Sequence, residues 1–193
     1  MSLTPAQDAA FEASWPAAEY ASARAIRIGR GPGGGDRVSA ARPTTPDWTE
    51  GDIARAIEIQ TAWGQPASFR LAEDDSLAGL LLARGWRAQK PTRFMSTPIP
   101  RLTDQPVPRV TAFAVWPPLA IQRELWAEQG IGPARQAIMD RVQLPKAAIL
   151  GRAEDRAAGV AFVAVSNGIA VLHALEVLPV MRRKGSAGWM LRE

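Results

Sequence analysis

The sequence predicts an α/β chain of the α+β type, arranged as two lobes of mixed, mostly antiparallel sheet flanked by helices. Three observations carry this expectation. A proline-rich stretch over residues 98–108 divides the 193-residue chain near its midpoint and can sustain neither a helix nor a central strand. Both halves contain apolar residues in helical rhythm alongside short runs rich in Val, Ile, Leu and Ala. In the second half, three such runs follow one another with only turn residues between them, as in antiparallel strands joined by tight turns. The predicted organisation is a first lobe over residues 1–98, a linker over 99–108 and a second lobe over 109–193.

In the first lobe, Ala25 to Ile28 and Arg37 to Ala41 read as short strands around Gly31-Pro32-Gly33-Gly34-Gly35, whose glycines suit a hairpin turn. Such a loop could also cradle phosphate, but it is expected to precede a strand rather than open a helix. Asp47 to Ala62 has apolar residues at Ile53, Ala56, Ile57 and Ile59 in helical spacing, with Thr49 and Asp52 placed as a capping pair. A strand at Ser68 to Leu71, a helix from Asp75 to Arg84 stopped by Gly85, and a strand through Thr92 to Met95 complete the lobe.

In the second lobe, Pro118 to Gln129 and Pro133 to Val142 read as helices with proline near the first turn. Lys146 to Arg152, Gly159 to Val165 and Ile169 to Leu178 read as strands, the last two joined by a tight Ser166-Asn167-Gly168 turn. The third is apolar almost throughout, as expected of a strand covered on both faces. A helix is expected from Arg182 onward.

Composition narrows the functional classes. Hydrophobic residues make up 47% of the chain, enough for a buried core, and charged residues 22%. With no cysteine there is no disulfide, thiolate ligand or cysteine nucleophile, and with one histidine, His173, no metal site is expected. The net charge of +4 suits an anionic ligand, but the basic residues are scattered and form no aromatic-interleaved patch, so nucleic acid is not an expected partner. No apolar run approaches the roughly 20 residues that span a bilayer. The N-terminus lacks a basic start, an apolar run and a cleavage site, so no membrane partner and a cytoplasmic location are expected.

The chemistry concentrates between Val171 and Ala187, a buried strand running through a tight turn into a helix start. A helix N-terminus offers unpaired main-chain N–H groups and the positive end of its dipole, and small residues let a diphosphate approach the main chain. Within this stretch, Arg182-x-x-Gly185-x-Ala187 follows a strand ending in Leu175-x-Val177-x-Pro179. This resembles the Arg/Gln-x-x-Gly-x-Gly/Ala signature of the GNAT superfamily of N-acetyltransferases, although Ser186 stands where that family usually has an apolar residue.

The resemblance implies acetyl-CoA as cosubstrate and a primary amine as acceptor. It assigns the pyrophosphate to the N–H groups of Arg183, Lys184, Gly185, Ser186 and Ala187, with Arg182 opening the signature. The pantetheine arm falls to the main chain around Leu175 and Val177. His173, in His-Ala-Leu-x-Val, is similar to a strand of serotonin N-acetyltransferase in which a histidine is the catalytic base. Imidazole can take a proton from an ammonium at neutral pH. A lone histidine in an apolar strand is equally what a satisfied core residue looks like. Strand alternation puts His173 and Val177 on one face and Glu176 on the other, where a buried carboxylate is the alternative base unless it pairs with an arginine. A β-bulge would break this alternation and bring Glu176 forward.

The tyrosine that GNAT enzymes commonly use as general acid has no counterpart, since the one tyrosine is Tyr20. Asp75 to Trp86 resembles the late GNAT helix ending in Arg-x-Gly-aromatic, which implies a tandem arrangement with a degenerate first lobe. The second lobe is then expected to lack the strand, helix and hairpin that complete the fold, and to pair with a second copy as one way to complete it. The function expected is acetyl transfer to an amine, and the alternative is a noncatalytic GNAT-like domain that binds coenzyme A or a protein partner.

Overall fold

A computed structural model describes residues 3–193 of the chain. The described residues form a mixed α/β protein of the α+β kind, with seven α-helices and two antiparallel sheets. They fall into two compact units, Ala17–Phe94 on one side and Leu3–Pro16 with Met95–Glu193 on the other.

In the first unit, β1 (Glu19–Ala23), β2 (Ile26–Arg30) and β3 (Ala41–Pro43) form an antiparallel sheet in that order. The glycine-rich loop opens a short helix, α2 (Asp36–Ser39), where a strand is expected from the sequence. Gly29 and Gly31 make this packing fit, since a Cβ on either would lie 2.4 Å from Val38 atoms. Helix α3 (Glu50–Ala62) starts at the predicted capping box, with Thr49 and Asp52 bonding each other's main-chain N–H groups. The strand expected at 68–71 reduces to one parallel bridge between Ala41 and Phe69, made by the Ala41 N–H on the Ser68 carbonyl and the Arg70 N–H on the Ala41 carbonyl, and the buried amide of Gln60 also bonds the N–H and the carbonyl of Ser68. Helix α4 (Ser76–Ala83) buries Leu77 and Leu81 against Ile26, Ile28, Ile53 and Ala56. The strand expected at Thr92 to Met95 is not formed. That segment is exposed throughout and Met95 is 93% exposed, so it has no strand to pair with.

The second unit is a four-stranded antiparallel sheet in the order β4 (Ala112–Val115), β5 (Lys146–Ala153), β6 (Arg156–Ser166), β7 (Ile169–Val177). The predicted Ser166-Asn167-Gly168 connection is a tight turn, with φ of 49° at Asn167 and 76° at Gly168, positive values that suit a hairpin. Helices α5 (Ala120–Glu128) and α6 (Pro133–Arg141) follow the predicted spans closely. Lys146 caps α6 by donating to the carbonyls of Met139, Asp140 and Val142, and burial lowers its pKa.

Paired residues on neighbouring strands point to the same side, so the register sorts the two faces of this sheet. One face presents Ile149, Ala161 and Ala112 to Met190 of α7 (Ser186–Arg192). Gly151 and Gly159 leave the room, since a Cβ on either would come within 3 Å of the Met190 side chain. The opposite face carries Ala148, Leu150, Val160 and Phe162, and here lie Trp126 and α1 (Pro5–Ala13). The sequence reading puts residues 3–16 with the first lobe. They belong instead to the second unit, because Phe11, Ser14 and Trp15 close over His173. Among the described residues, no helix is long and apolar enough to cross a membrane.

Candidate functional site

The site expected from the sequence spans β7 and the segment that follows it. Strand β7 is the last strand of its sheet, so its outer main-chain edge has no strand partner among the described residues. Its pairing with β6 is broken once. Phe162 faces His173 and Val160 faces Glu176, so Ala161 alone stands opposite both Ala174 and Leu175. This is a β-bulge, and Ala174 occupies it with a φ of 50°. That left-handed conformation normally belongs to glycine and costs an L-residue about 1–2 kcal/mol. The cost is offset from another element. The indole N–H of the fully buried Trp126 donates to the carbonyl of Ala174 at 2.9 Å. Such a bond contributes about 1 kcal/mol, and leaving the carbonyl without a partner would cost about 1–3 kcal/mol.

The bulge overturns the alternation expected of a regular strand. Glu176 and His173 share the face of Val160 and Phe162, while Leu175 and Val177 face Met190. His173 and Val177 therefore lie on opposite faces, and the carboxylate rather than Val177 accompanies the imidazole.

His173 is enclosed. It is 7% exposed, its ring lies among those of Phe11, Trp15 and Phe162, and its Nε2 is 2.8 Å from Ser14 Oγ. Ser14 Oγ also lies 3.1 Å from the carbonyl of Phe11, so the one ring nitrogen that reaches Ser14 is engaged with a buried hydroxyl inside this enclosure. Glu176 is half-buried, and its carboxylate makes no hydrogen bond or ion pair with the described residues. No arginine claims it.

After β7, a 3-10 turn over Pro179–Met181 leads to Arg182, which is extended, so the helix expected from Arg182 begins only at Ser186. Arg183 at φ 63° and Gly185 at φ 84° turn the intervening loop left-handed. Gly185 is the N-cap residue of α7 and no side chain caps the helix. The N–H of Arg182 donates to Pro179 and that of Trp189 to Gly185, but the N–H groups from Arg183 to Ala187 donate to no carbonyl among the described residues. Ser186 is 3% exposed, and its hydroxyl has no hydrogen-bond partner.

The side chains of this loop are partly committed. Arg182 Nε donates to the carbonyl of Val177 at 3.1 Å, which occupies one of that oxygen's two acceptor positions. Lys184 pairs with Glu154 at 2.8 Å and holds its carboxyl below the usual range, an exposed pair of small energetic weight. Arg183 is exposed and makes no ion pair with the described residues. The donor set suits a diphosphate: consecutive main-chain N–H groups, a helix N-terminus and a free guanidinium.

Among the described residues, no group of three or more His, Asp or Glu is placed to hold a metal ion. A shallow cleft of about 360 Å³ lies in the first unit, lined by Pro43, Thr44, Thr45, Pro46, Trp48, Asp75 and Ser76, and no residue of the β7 site lines it. Sequence reasoning missed Trp126 and Ser14. Neither carries a local signal, since each acts on β7 across a long separation along the chain. Comparison of the chain with protein-family models, with curated proteins and with solved structures returns no match.

Proposed function

We propose that the chain is a GNAT-type N-acetyltransferase that moves an acetyl group from acetyl-CoA to a primary amine. The observation that carries this reading is the run of unpaired main-chain N–H groups from Arg183 to Ala187, opening directly after a bulged edge strand. Arg182-x-x-Gly185-x-Ala187 lies across that run, with Gly185 at a positive φ that glycine adopts without strain. The pyrophosphate would take these N–H groups and the Arg183 guanidinium. The pantetheine arm would lie along the outer edge of β7 at Leu175 and Val177, where Arg182 already bonds the Val177 carbonyl.

Bound acetyl-CoA supplies an activated thioester. The carboxylate of Glu176 would accept one proton from the ammonium, the resulting free amine would attack the acetyl carbon, and as the carbon–sulfur bond breaks the second nitrogen proton would pass to the departing thiolate, leaving the amide and free coenzyme A. Glu176 is preferred to His173 because its carboxylate makes no hydrogen bond or ion pair with the described residues, whereas the imidazole of His173 is buried and hydrogen-bonded to Ser14. The first unit is read as the degenerate lobe of a tandem arrangement. Its single parallel bridge between Ala41 and Phe69, with α3 between them, supports this, as does α4 running to Gly85 and Trp86.

A noncatalytic domain that binds coenzyme A or a protein partner is the second reading. The enclosed histidine favours it, as does the lack of any tyrosine beside Tyr20, whose hydroxyl accepts the N–H of Ala17 within the first unit. Calorimetric titration with coenzyme A and acetyl-CoA turnover across a panel of small amines separate the two. Turnover supports the first reading and binding without turnover the second, while absence of binding contradicts the coenzyme A site in both.

A further inference from the structure

We infer that Trp126 is a positioning residue that sets which face of β7 presents Glu176. The catalytic arm of this inference rests on the acetyltransferase reading above, and the structural arm does not. Ala174 holds a left-handed conformation at φ 50° in a strand, where its side chain gives it no reason to do so. Neither neighbour along β7 is glycine or proline. The one interaction that singles out the bulged peptide is the indole N–H of Trp126, reaching the Ala174 carbonyl from α5. Trp126 is fully buried, so this donor is held in place by packing rather than offered from a mobile surface.

The consequence follows from the period of a strand. If Ala174 relaxed to an extended conformation with Phe162 still opposite His173, Val160 would face Leu175 and Gly159 would face Glu176. Glu176 would then point toward Met190, where Gly159 already leaves no room for a Cβ. The unpaired carboxylate would leave the face it shares with His173, and Leu175 would replace it. One indole hydrogen bond therefore decides between a carboxylate and an isobutyl group at the proposed reaction face.

Three variants of the full chain test this, read by cross-strand nuclear Overhauser contacts and by acetyl-CoA turnover. In the unsubstituted protein Val160 contacts Glu176. Trp126→Phe keeps a ring and removes the donor, and should move that contact to Leu175 and lower kcat/KM by about 10²-fold. Adding Ala174→Gly to Trp126→Phe makes the left-handed conformation free of strain and should restore both the Val160–Glu176 contact and turnover. Ala174→Val, which leaves Trp126 in place, disfavours the left-handed conformation and should reproduce the loss. A Val160–Glu176 contact that persists in Trp126→Phe overturns the inference, as does a shifted contact that Ala174→Gly fails to restore. If the unsubstituted chain shows no turnover, the acetyltransferase reading fails while the contact measurement still decides the role of Trp126.

Discussion

The helices α3 and α7 each follow the last strand of an antiparallel sheet, and their N-termini are built in opposite ways. At α3, Thr49 and Asp52 satisfy the first N–H groups reciprocally, Glu50 adds a second carboxylate, and Arg24 neutralises Asp52 at 2.8 Å. At α7 no side chain caps the helix, no acidic residue stands in the first turn, and Arg182, Arg183 and Lys184 precede it. A helix start needs a negative partner for its dipole and acceptors for its N–H groups. The first helix carries both within the chain, whereas the second leaves them to be supplied. A closed N-terminus is a structural element, and an open one preceded by cations has the chemistry of an anion site.

The largest expected effect breaks the open end. Gly185→Glu would force a side chain onto a φ of 84° and put a carboxylate at the proposed pyrophosphate site, so coenzyme A binding should be lost entirely by calorimetry in a variant whose circular dichroism is unchanged. Next is the proposed base. Glu176→Gln should lower the acetylation rate by about 10²-fold or more with coenzyme A affinity nearly unchanged, whereas His173→Gln in a correctly folded variant should retain most of the rate. A rate that survives in Glu176→Gln and is lost in His173→Gln would return the role to the histidine.

The closed end gives smaller effects on stability alone. Thr49→Ala removes half of the capping box and should destabilise the first unit by about 1 kcal/mol in urea unfolding, with coenzyme A affinity unchanged. Asp52 is held below the usual carboxylate range by its hydrogen bonds to Arg24, and Asp47 chiefly by its bond to Thr45. Both pKa values are depressed on folding, so the stability they contribute is present above the unfolded-state pKa and is lost as pH falls through the folded-state values. Thermal melts between about pH 5 and pH 3 should show this loss in the intact chain and less of it in Asp52→Asn.

The closed helix was far more legible in the sequence than the site. Thr49, Asp52 and the apolar spacing through Ile59 fix α3 by interactions within a few residues, and Asn167-Gly168 fixes the β6–β7 turn in the same way. The open loop was legible as a motif, but the residues before Gly185 gave no local sign that the helix waits until Ser186. The bulge was invisible because Ala174 is no bulge former on its own, and its partner Trp126 stands 48 residues away. The enclosure of His173 depends on Ser14, separated by 159 residues, and no pattern along the strand encodes such a contact. Thr92 to Met95 failed for the converse reason, since a β-prone run forms no strand without a neighbour to complete its hydrogen bonds.

The contrast between the two helix starts can be read directly from main-chain amides. On titration of the isotopically labelled chain with coenzyme A, the amide resonances of Arg183 to Ala187 should shift in proportion to occupancy, and those of Glu50 to Asp52 should stay in place. Pantetheine, which lacks the pyrophosphate, should leave both sets unmoved at the same concentration. Shifts confined to Glu50 to Asp52, or equal shifts with pantetheine, would contradict the assignment of the α7 N-terminus as the anion site.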